Sequence, residues 1–143
     1  MKAQDHPFTS DEILGREAVD PEGEILGSVT KLHIDRDGKE LTGLTIDQGL
    51  FQPDLFVGLD FVDRFGVDAV FLNRIPLEKY IGKKVLRPDG SLLGRVAEIN
   101  RRQFDLVSLS VRPRGLFSWK KRIVVEASDI KEISSVVFLK RPY

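Results

Sequence analysis

The chain repeats itself: a turn-and-strand pattern recurs after 67 residues, with its glycines in register. Residues 14–16 (Leu-Gly-Arg) return as residues 81–83 (Ile-Gly-Lys), and residues 20–29 return as residues 87–96. Both longer segments carry a proline, an acidic residue and a glycine. These favour a tight turn, because proline presets φ and glycine accepts a positive φ. The duplication keeps turn residues and apolar positions while the charges between them differ, which predicts a repeated β-fold and not a duplicated catalytic centre.

The length of 143 residues fits one ordinary domain or two very small ones. We expect a flexible tail over residues 1–10, a first repeat over residues 11–74 and a second repeat over residues 78–143. A unit of about 65–70 residues buries only about 60% of its unfolded surface and is marginal alone. The junction between the repeats is short, so we expect the two units to pack together.

Each repeat shows the same series of short strands joined by tight turns, which is typical of a small barrel or a sandwich. In the first repeat the strands are predicted at residues 16–19, 25–34, 42–46, 55–59 and 69–72. In the second repeat they are predicted at residues 83–86, 92–100, 107–111, 123–127 and 136–139. The predicted fold class is therefore mainly all-β.

Two local features interrupt this strand pattern. In the second strand of each repeat, two apolar residues stand three apart, which breaks strict alternation and predicts a β-bulge or burial on both faces. These pairs are Val29 with Leu32 and Val96 with Ile99. Before the last strand, Asp60 and Ser128 are N-cap candidates, and they predict short helical turns over residues 61–64 and 129–132.

The formal net charge of zero hides a strong asymmetry. Residues 1–74 hold 15 acidic and 7 basic side chains, whereas residues 75–143 hold 7 acidic and 15 basic ones. The two oppositely charged halves of such a chain can attract each other or the opposite halves of other copies, which stack head to tail. Alternatively, the two halves bind two different partners through opposite faces. Drift of surface charge after duplication is the alternative explanation. The asymmetry predicts head-to-tail self-association at low salt that disperses at high salt.

The sequence contains no motif that marks a catalytic, metal or cofactor site. Cysteine is absent and histidine occurs twice, so the familiar zinc spacings are not available. His33 has Asn100 at the matching place of the second repeat, and we interpret it as an ordinary strand residue. Ser108 and Ser110 alternate on one strand, and we expect them to fill its outward face. The chain is expected to be neither an enzyme nor a cofactor-binding protein.

Signals for a membrane or for secretion are also absent from the sequence. No apolar run approaches the roughly 20 residues of a spanning helix, and the N-terminus has no signal-peptide core. The lack of cysteine excludes a disulfide framework and is compatible with the cytoplasm. We therefore expect a cytoplasmic location and no direct membrane insertion.

The combination of turns and strands resembles the PRC-barrel family. The matching segments are residues 14–16, 20–29, 55–57, 60–62 and 68–72. The resemblance covers nearly the whole chain, once per repeat, and implies two tandem small antiparallel β-barrels of the PRC-barrel type, packed together and each with a short helical turn. Members include the cytoplasmic barrel of the photosynthetic reaction-centre H subunit, the C-terminal domain of the bacterial ribosome maturation factor, and stand-alone archaeal proteins implicated in cell division.

These members share docking to a larger assembly, without chemistry of their own. The resemblance therefore implies a non-enzymatic adaptor or scaffold that docks protein partners in a cytoplasmic assembly. The duplicated stand-alone form is most similar to the archaeal type, which implies cell division as its context. Two alternatives stay open. One is a ribosome- or RNA-associated maturation factor that acts through the basic second repeat, and the other is a regulatory module of a membrane protein complex.

The loops between the third and fourth strands differ most between the repeats, and loops are where a shared scaffold specialises. The first loop, residues 47–54, carries acidic residues. The second, residues 112–122, carries five basic residues and the only tryptophan. A Leu-Phe pair recurs in both loops and suggests a common apolar plug. The candidate partner-binding residues are Leu50, Phe51, Arg112, Arg114, Phe117, Trp119, Lys120, Lys121 and Arg122.

Several interpretations of the basic loop stay open. It docks an acidic protein surface with Trp119 and an arginine as anchors, or it contacts RNA phosphates while Trp119 or Phe117 stacks on a base. It lies near an anionic membrane surface, or it is a solvated hairpin whose aromatic side chains tuck back over the barrel end. We favour a protein partner, because RNA-binding domains usually carry net positive charge and this chain is neutral.

Overall fold

The computed structural model of the chain describes residues 8–115 and 121–143. The chain divides into two compact units, Met1–Pro76 and Leu77–Tyr143. Each unit is built on one six-stranded sheet, and its helical segments are short 3-10 turns. The all-β class predicted from the sequence is confirmed, as is the presence of a short helical turn in each unit.

The two sheets have the same topology. The first unit contains β1 (Glu17–Val19), β2 (Ile25–Asp35), β3 (Glu40–Asp47), β4 (Leu55–Gly58), β5 (Val62–Phe65) and β6 (Ala69–Leu72). The second contains β7 (Lys84–Leu86), β8 (Leu92–Arg102), β9 (Asp105–Pro113), β10 (Ile123–Glu126), β11 (Ile130–Ile133) and β12 (Val137–Leu139). The strand order is β4-β3-β2-β1-β6-β5 in the first sheet and β10-β9-β8-β7-β12-β11 in the second. All neighbours are antiparallel except β1 with β6 and β7 with β12, which are parallel.

Each sheet curls into a barrel because its two edge strands are consecutive in the chain. β4 and β5 stand at opposite edges of the first sheet, yet only the 3-10 turn Leu59–Phe61 separates them in sequence. The turn Ala127–Asp129 joins β10 to β11 in the same way. Asn73 braces the first turn, since its backbone N–H and its side chain donate to the carbonyl oxygens of Phe61 and Asp60 over 2.8 Å each.

The inward face of each barrel forms one apolar core, and every strand contributes to it. Side chains that are at most 1% exposed include Val29, Leu44, Ile46 and Val57 in the first unit, and Leu109, Val111, Val125 and Val137 in the second. Full burial of such a side chain contributes about 1.5–3 kcal/mol. This burial is the main term that offsets the entropy of ordering so small a unit.

The two units also match each other in individual backbone hydrogen bonds. The Gly15 N–H donates to the Val29 carbonyl, and the Gly82 N–H donates to the Val96 carbonyl, over 2.8 Å in both units. The predicted bulge is confirmed: the ladder between β2 and β3 shifts register directly after Val29, and the ladder between β8 and β9 shifts directly after Val96. Both units therefore place the same bend at the same point of their longest strand.

The predicted helical turns over residues 61–64 and 129–132 are wrong in position. The 3-10 turns begin before Asp60 and Ser128, which lie inside them and are not N-caps. The residues that follow form the strands β5 and β11, which pair with β6 and β12. Pairing with β6 and β12 supplies partners for the backbone groups of these residues, which one isolated helical turn would leave largely unpaired.

The segment before β1 is tied to the first unit. The 3-10 turn Ser10–Glu12 leads into Ile13, which is buried in the core. The Phe8 ring lies with its centroid 5.8 Å from that of Phe65. In the second unit the 3-10 turn Leu77–Tyr80 holds the equivalent place before β7.

Candidate functional site

The loops that follow β3 and β9 leave their barrels at equivalent points. At Gly27 a Cβ atom would lie 2.0 Å from the Asp47 carbonyl oxygen, and at Gly94 a Cβ atom would lie 2.0 Å from the Arg112 carbonyl oxygen. These two glycines let the start of β2 and of β8 approach the end of the neighbouring strand. The base of each loop is thereby fixed against the backbone of its own unit.

The first loop is held in shape by its own hydrogen bonds. The Gly49 N–H donates to Asp47 Oδ1 over 2.8 Å, and Gln48 Nε2 donates to the Pro53 carbonyl over 2.9 Å. The Gln52 N–H donates to the Gly49 carbonyl over 3.4 Å. These bonds close the base of the loop and set the direction of its tip.

The tip consists of Leu50 and Phe51, and each of these residues is 95% exposed. We call this pair the Leu-Phe tip. The predicted apolar plug is wrong for the first repeat, because the strands already fill the barrel and the loop turns its apolar pair outward. The pair has no reactive group, and what it can do is bury itself in a partner. Burial would contribute about 1.5–3 kcal/mol for each side chain.

The second loop is basic where the structure describes it. Arg112 at the end of β9 and Arg114 just after it are exposed, as are Lys121 and Arg122 just before β10. Neither Arg112 nor Arg114 forms an ion pair with any residue in the described ranges. The other candidates predicted from the sequence, Phe117, Trp119 and Lys120, lie outside the described residues.

A groove of about 380 Å³ lies beside this loop within the second unit. Its lining includes the half-buried apolar residues Ile81, Leu92 and Ala97, which we call its floor. Three exposed arginines, Arg95, Arg112 and Arg114, also line the groove, and we call them its rim. We call it the arginine groove. The structure thus brings two of the predicted site residues together, whereas Leu50 and Phe51 belong to the loop of the first unit.

Sequence reasoning missed Arg95, which lies in the repeated segment and not in a loop. It stands directly opposite Arg112 across the β8–β9 ladder, and the equivalent pair in the first unit is Ser28 opposite Asp47. Like charges on facing strand positions are destabilising. Arg95 Nη1 donates to the Gly82 carbonyl over 3.0 Å, which holds one guanidinium in place. A position-by-position comparison of the repeats, which places Arg95 against Ser28, is the signal that could have identified Arg95.

His33 has a structural role, because its side chain contacts residues of the neighbouring strands in the barrel wall. Its Nε2 lies 2.6 Å from Thr45 Oγ1, and the Phe56 ring meets it edge-on with the ring centroids 4.9 Å apart. At the matching place of the second unit, Asn100 Nδ2 donates to Ser108 Oγ over 2.9 Å, and Ser108 is buried on the outward face of β9. Across residues 8–115 and 121–143, no three His, Asp or Glu side chains group as metal ligands would.

Replacing His33 by asparagine is expected to change the free energy of unfolding by less than about 1 kcal/mol. The amide is expected to keep a hydrogen bond to Thr45, as Asn100 does over 3.4 Å to Ser110, the residue that matches Thr45 in the second unit. His33→Leu is expected to lower stability by about 1–3 kcal/mol, because the buried Thr45 hydroxyl then loses its partner. Urea unfolding measures both variants, and equal stability of the two would contradict this account.

In the part of the chain that the structure describes, no helix has the length and apolar character needed to cross a bilayer. A family model for the PRC-barrel domain matches residues 6–76. The matched range contains all six strands of the first sheet, and the second sheet repeats their order. No curated protein matches the chain.

Proposed function

Because the chain belongs to the PRC-barrel family through residues 6–76, we propose that it is a non-enzymatic adaptor that docks protein partners in a cytoplasmic assembly. Two sheets of one topology support this, since a duplicated barrel presents two loops of the same origin with different side chains. The duplicated form resembles the stand-alone archaeal members of the family. On that resemblance we extend the proposal to an assembly for cell division.

The observation that carries the proposal is the exposure of the Leu-Phe tip. Contiguous large apolar side chains in solvent mark protein interaction sites, and Leu50 and Phe51 are each 95% exposed. A buried anchor of this kind supplies much of the affinity of an interface. The hydrogen bonds of the loop order it before binding, so less entropy is lost when a partner docks.

The buried polar side chains of the described residues are all engaged within the fold. Among residues 8–115 and 121–143, no buried side-chain nitrogen or oxygen lacks a hydrogen-bond partner. His33, the one histidine in these ranges, is engaged by Thr45.

The test is a double substitution at the tip, Leu50→Ser with Phe51→Ser. The unmodified chain is immobilised, the protein that it retains from native lysate is identified and purified, and its affinity for both chains is measured by calorimetry. The double variant is expected to bind at least about 30-fold more weakly, which corresponds to about 2 kcal/mol. Its melting temperature is expected to stay unchanged, because the tip contributes nothing to the core.

The matched control is Val67→Ser. Val67 is 86% exposed and lies between β5 and β6 of the same unit, outside the loop. This control is expected to retain the partner with the affinity of the unmodified chain. Equal affinities for the double variant and the unmodified chain would refute the tip as the docking element.

A further inference from the structure

The arginine groove has the character of a site for an apolar side chain with acidic neighbours. Its volume of about 380 Å³ falls within the range of ligand pockets, about 300–1,000 Å³. The floor is apolar and the rim is cationic. An occupant that matches both features places an apolar group on the floor and carboxylates at the rim.

Without such an occupant, the positive charges of Arg112 and Arg114 at the rim are not paired with any carboxylate of the described residues. Arg95 and Arg112 face each other across the ladder, and Arg112 and Arg114 have no ion-pair partner among the described residues. Guanidinium groups pair with carboxylates through two parallel hydrogen bonds when the geometry permits. Carboxylates brought to this rim would therefore both relieve the repulsion and gain charge-assisted hydrogen bonds.

The first unit carries a segment of this description. The Leu-Phe tip lies between Asp47 and Asp54, and no lysine or arginine occurs in residues 47–54. Both aspartates are exposed. The loop is ordered by its own hydrogen bonds, so it presents apolar and acidic groups in one fixed arrangement.

We propose that the Leu-Phe tip of one copy docks in the arginine groove of a second copy of this chain. The inference rests on the proposed function, because the same tip is the docking element, and it names the partner. Leu50 and Phe51 cover the apolar floor, and Asp47 and Asp54 pair with the arginine rim. The tip belongs to the acidic part of the chain and the groove to the basic part, which steers copies together.

Such a contact joins two different surfaces, so it does not close on itself. A docked pair still has one free tip on one copy and one free groove on the other, and further copies add to both. The product is a head-to-tail chain of molecules.

Sedimentation velocity tests the self-association. At about 0.1 M salt, where the Debye length is about 10 Å, the average sedimentation coefficient is expected to rise with protein concentration. At about 1 M salt, where the Debye length is about 3 Å, it is expected to shift toward the monomer. The protein is treated with nuclease first, and association that disappears with this treatment would overturn the proposal in favour of nucleic acid.

Complementation between two variants tests the contact itself. Leu50→Ser with Phe51→Ser removes the tip and leaves the groove, whereas Arg112→Glu with Arg114→Glu removes the groove and leaves the tip. Each variant alone is expected to be a monomer. An equimolar mixture is expected to form a heterodimer that grows no further, because one intact tip meets one intact groove.

The charge-matched control is Arg102→Glu with Lys131→Glu, which changes net charge equally at exposed positions outside the groove. This control is expected to associate like the unmodified chain. A monomeric unmodified chain at every concentration, or a mixture of variants that stays monomeric, would overturn the proposal. The adaptor function is separate: it fails only if the tip variant keeps its affinity for the protein captured from lysate.

Discussion

Replacing Gly27 by alanine is expected to lower the free energy of unfolding by at least about 3 kcal/mol. The added methyl group would lie 2.0 Å from the Asp47 carbonyl oxygen and 3.1 Å from Gln48 Cα. These are backbone atoms, so no side-chain rotation relieves the overlap, and β2 must move away from the end of β3. Urea unfolding followed by circular dichroism measures the loss.

Gly38→Ala is the matched control in the same unit. A Cβ atom at Gly38 meets the Asp35 carboxylate oxygen at 3.0 Å, and this flexible side chain can turn away. The control is expected to change stability by less than about 1 kcal/mol. Equal stability of the Gly27 and Gly38 variants would contradict the close approach. Because Asp47 also caps the first loop, Gly27→Ala is expected to weaken partner binding by the tip as well.

Replacing Asp20 by alanine is expected to lower the free energy of unfolding by about 2–4 kcal/mol. Asp20 is only 3% exposed, and its Oδ1 accepts the Glu22 N–H over 2.9 Å and the Glu24 N–H over 3.0 Å. Alanine leaves both donors unpaired inside the turn between β1 and β2. Guanidinium chloride unfolding at neutral pH measures the difference.

Asp20→Asn is the control, because the amide oxygen still accepts from the turn. Its loss of stability is expected to be about 1 kcal/mol, since only the charge assistance is removed. An asparagine variant as unstable as the alanine variant would show that the negative charge, and not the hydrogen bonding, stabilises the turn.

The second unit makes the same turn with another carboxylate. Arg87 stands at the place of Asp20 and donates to the Tyr143 carbonyl over 2.8 Å. Asp89 accepts from both the backbone and the hydroxyl group of Ser91, and these hydrogen bonds lower the pKa of Asp89 below its usual range. The turn geometry was predictable from Pro and Gly, whereas the partner of each charged side chain depends on residues distant in sequence.

Most strand positions were predictable because they follow from local patterns. The bulge after Val29 was visible as two apolar residues three apart, and the sheet ladder shifts register at that point. The helical turn predicted over residues 61–64 was misplaced because one turn of helix and a short strand look alike over four residues. Pairing with β6, which comes later in the chain, decides between them.

The direction of the Leu-Phe tip was not predictable from composition. An apolar pair in a loop is compatible with a plug or with an exposed anchor. The bond from Gln48 to the Pro53 carbonyl and the cap at Gly49 turn it outward. The arginine groove was likewise hidden, because Arg95 and Arg112 become neighbours only through the β8–β9 register.

The parallel pairing of β1 with β6 sets the moment at which the first barrel can form during translation. The first strand of the barrel pairs with the last one, because β1 (Glu17–Val19) lies parallel to residues Ala69–Phe71 of β6. Until that last strand emerges from the ribosome, β1 lacks one neighbour and β5 has none, so a nascent chain exposes unpaired edges. The second barrel repeats the delay, since β7 waits for Val137–Leu139. If synthesis pauses just before either closing strand, the sheet stays open. Its unpaired edges can then pair with nascent chains on other ribosomes of the same mRNA.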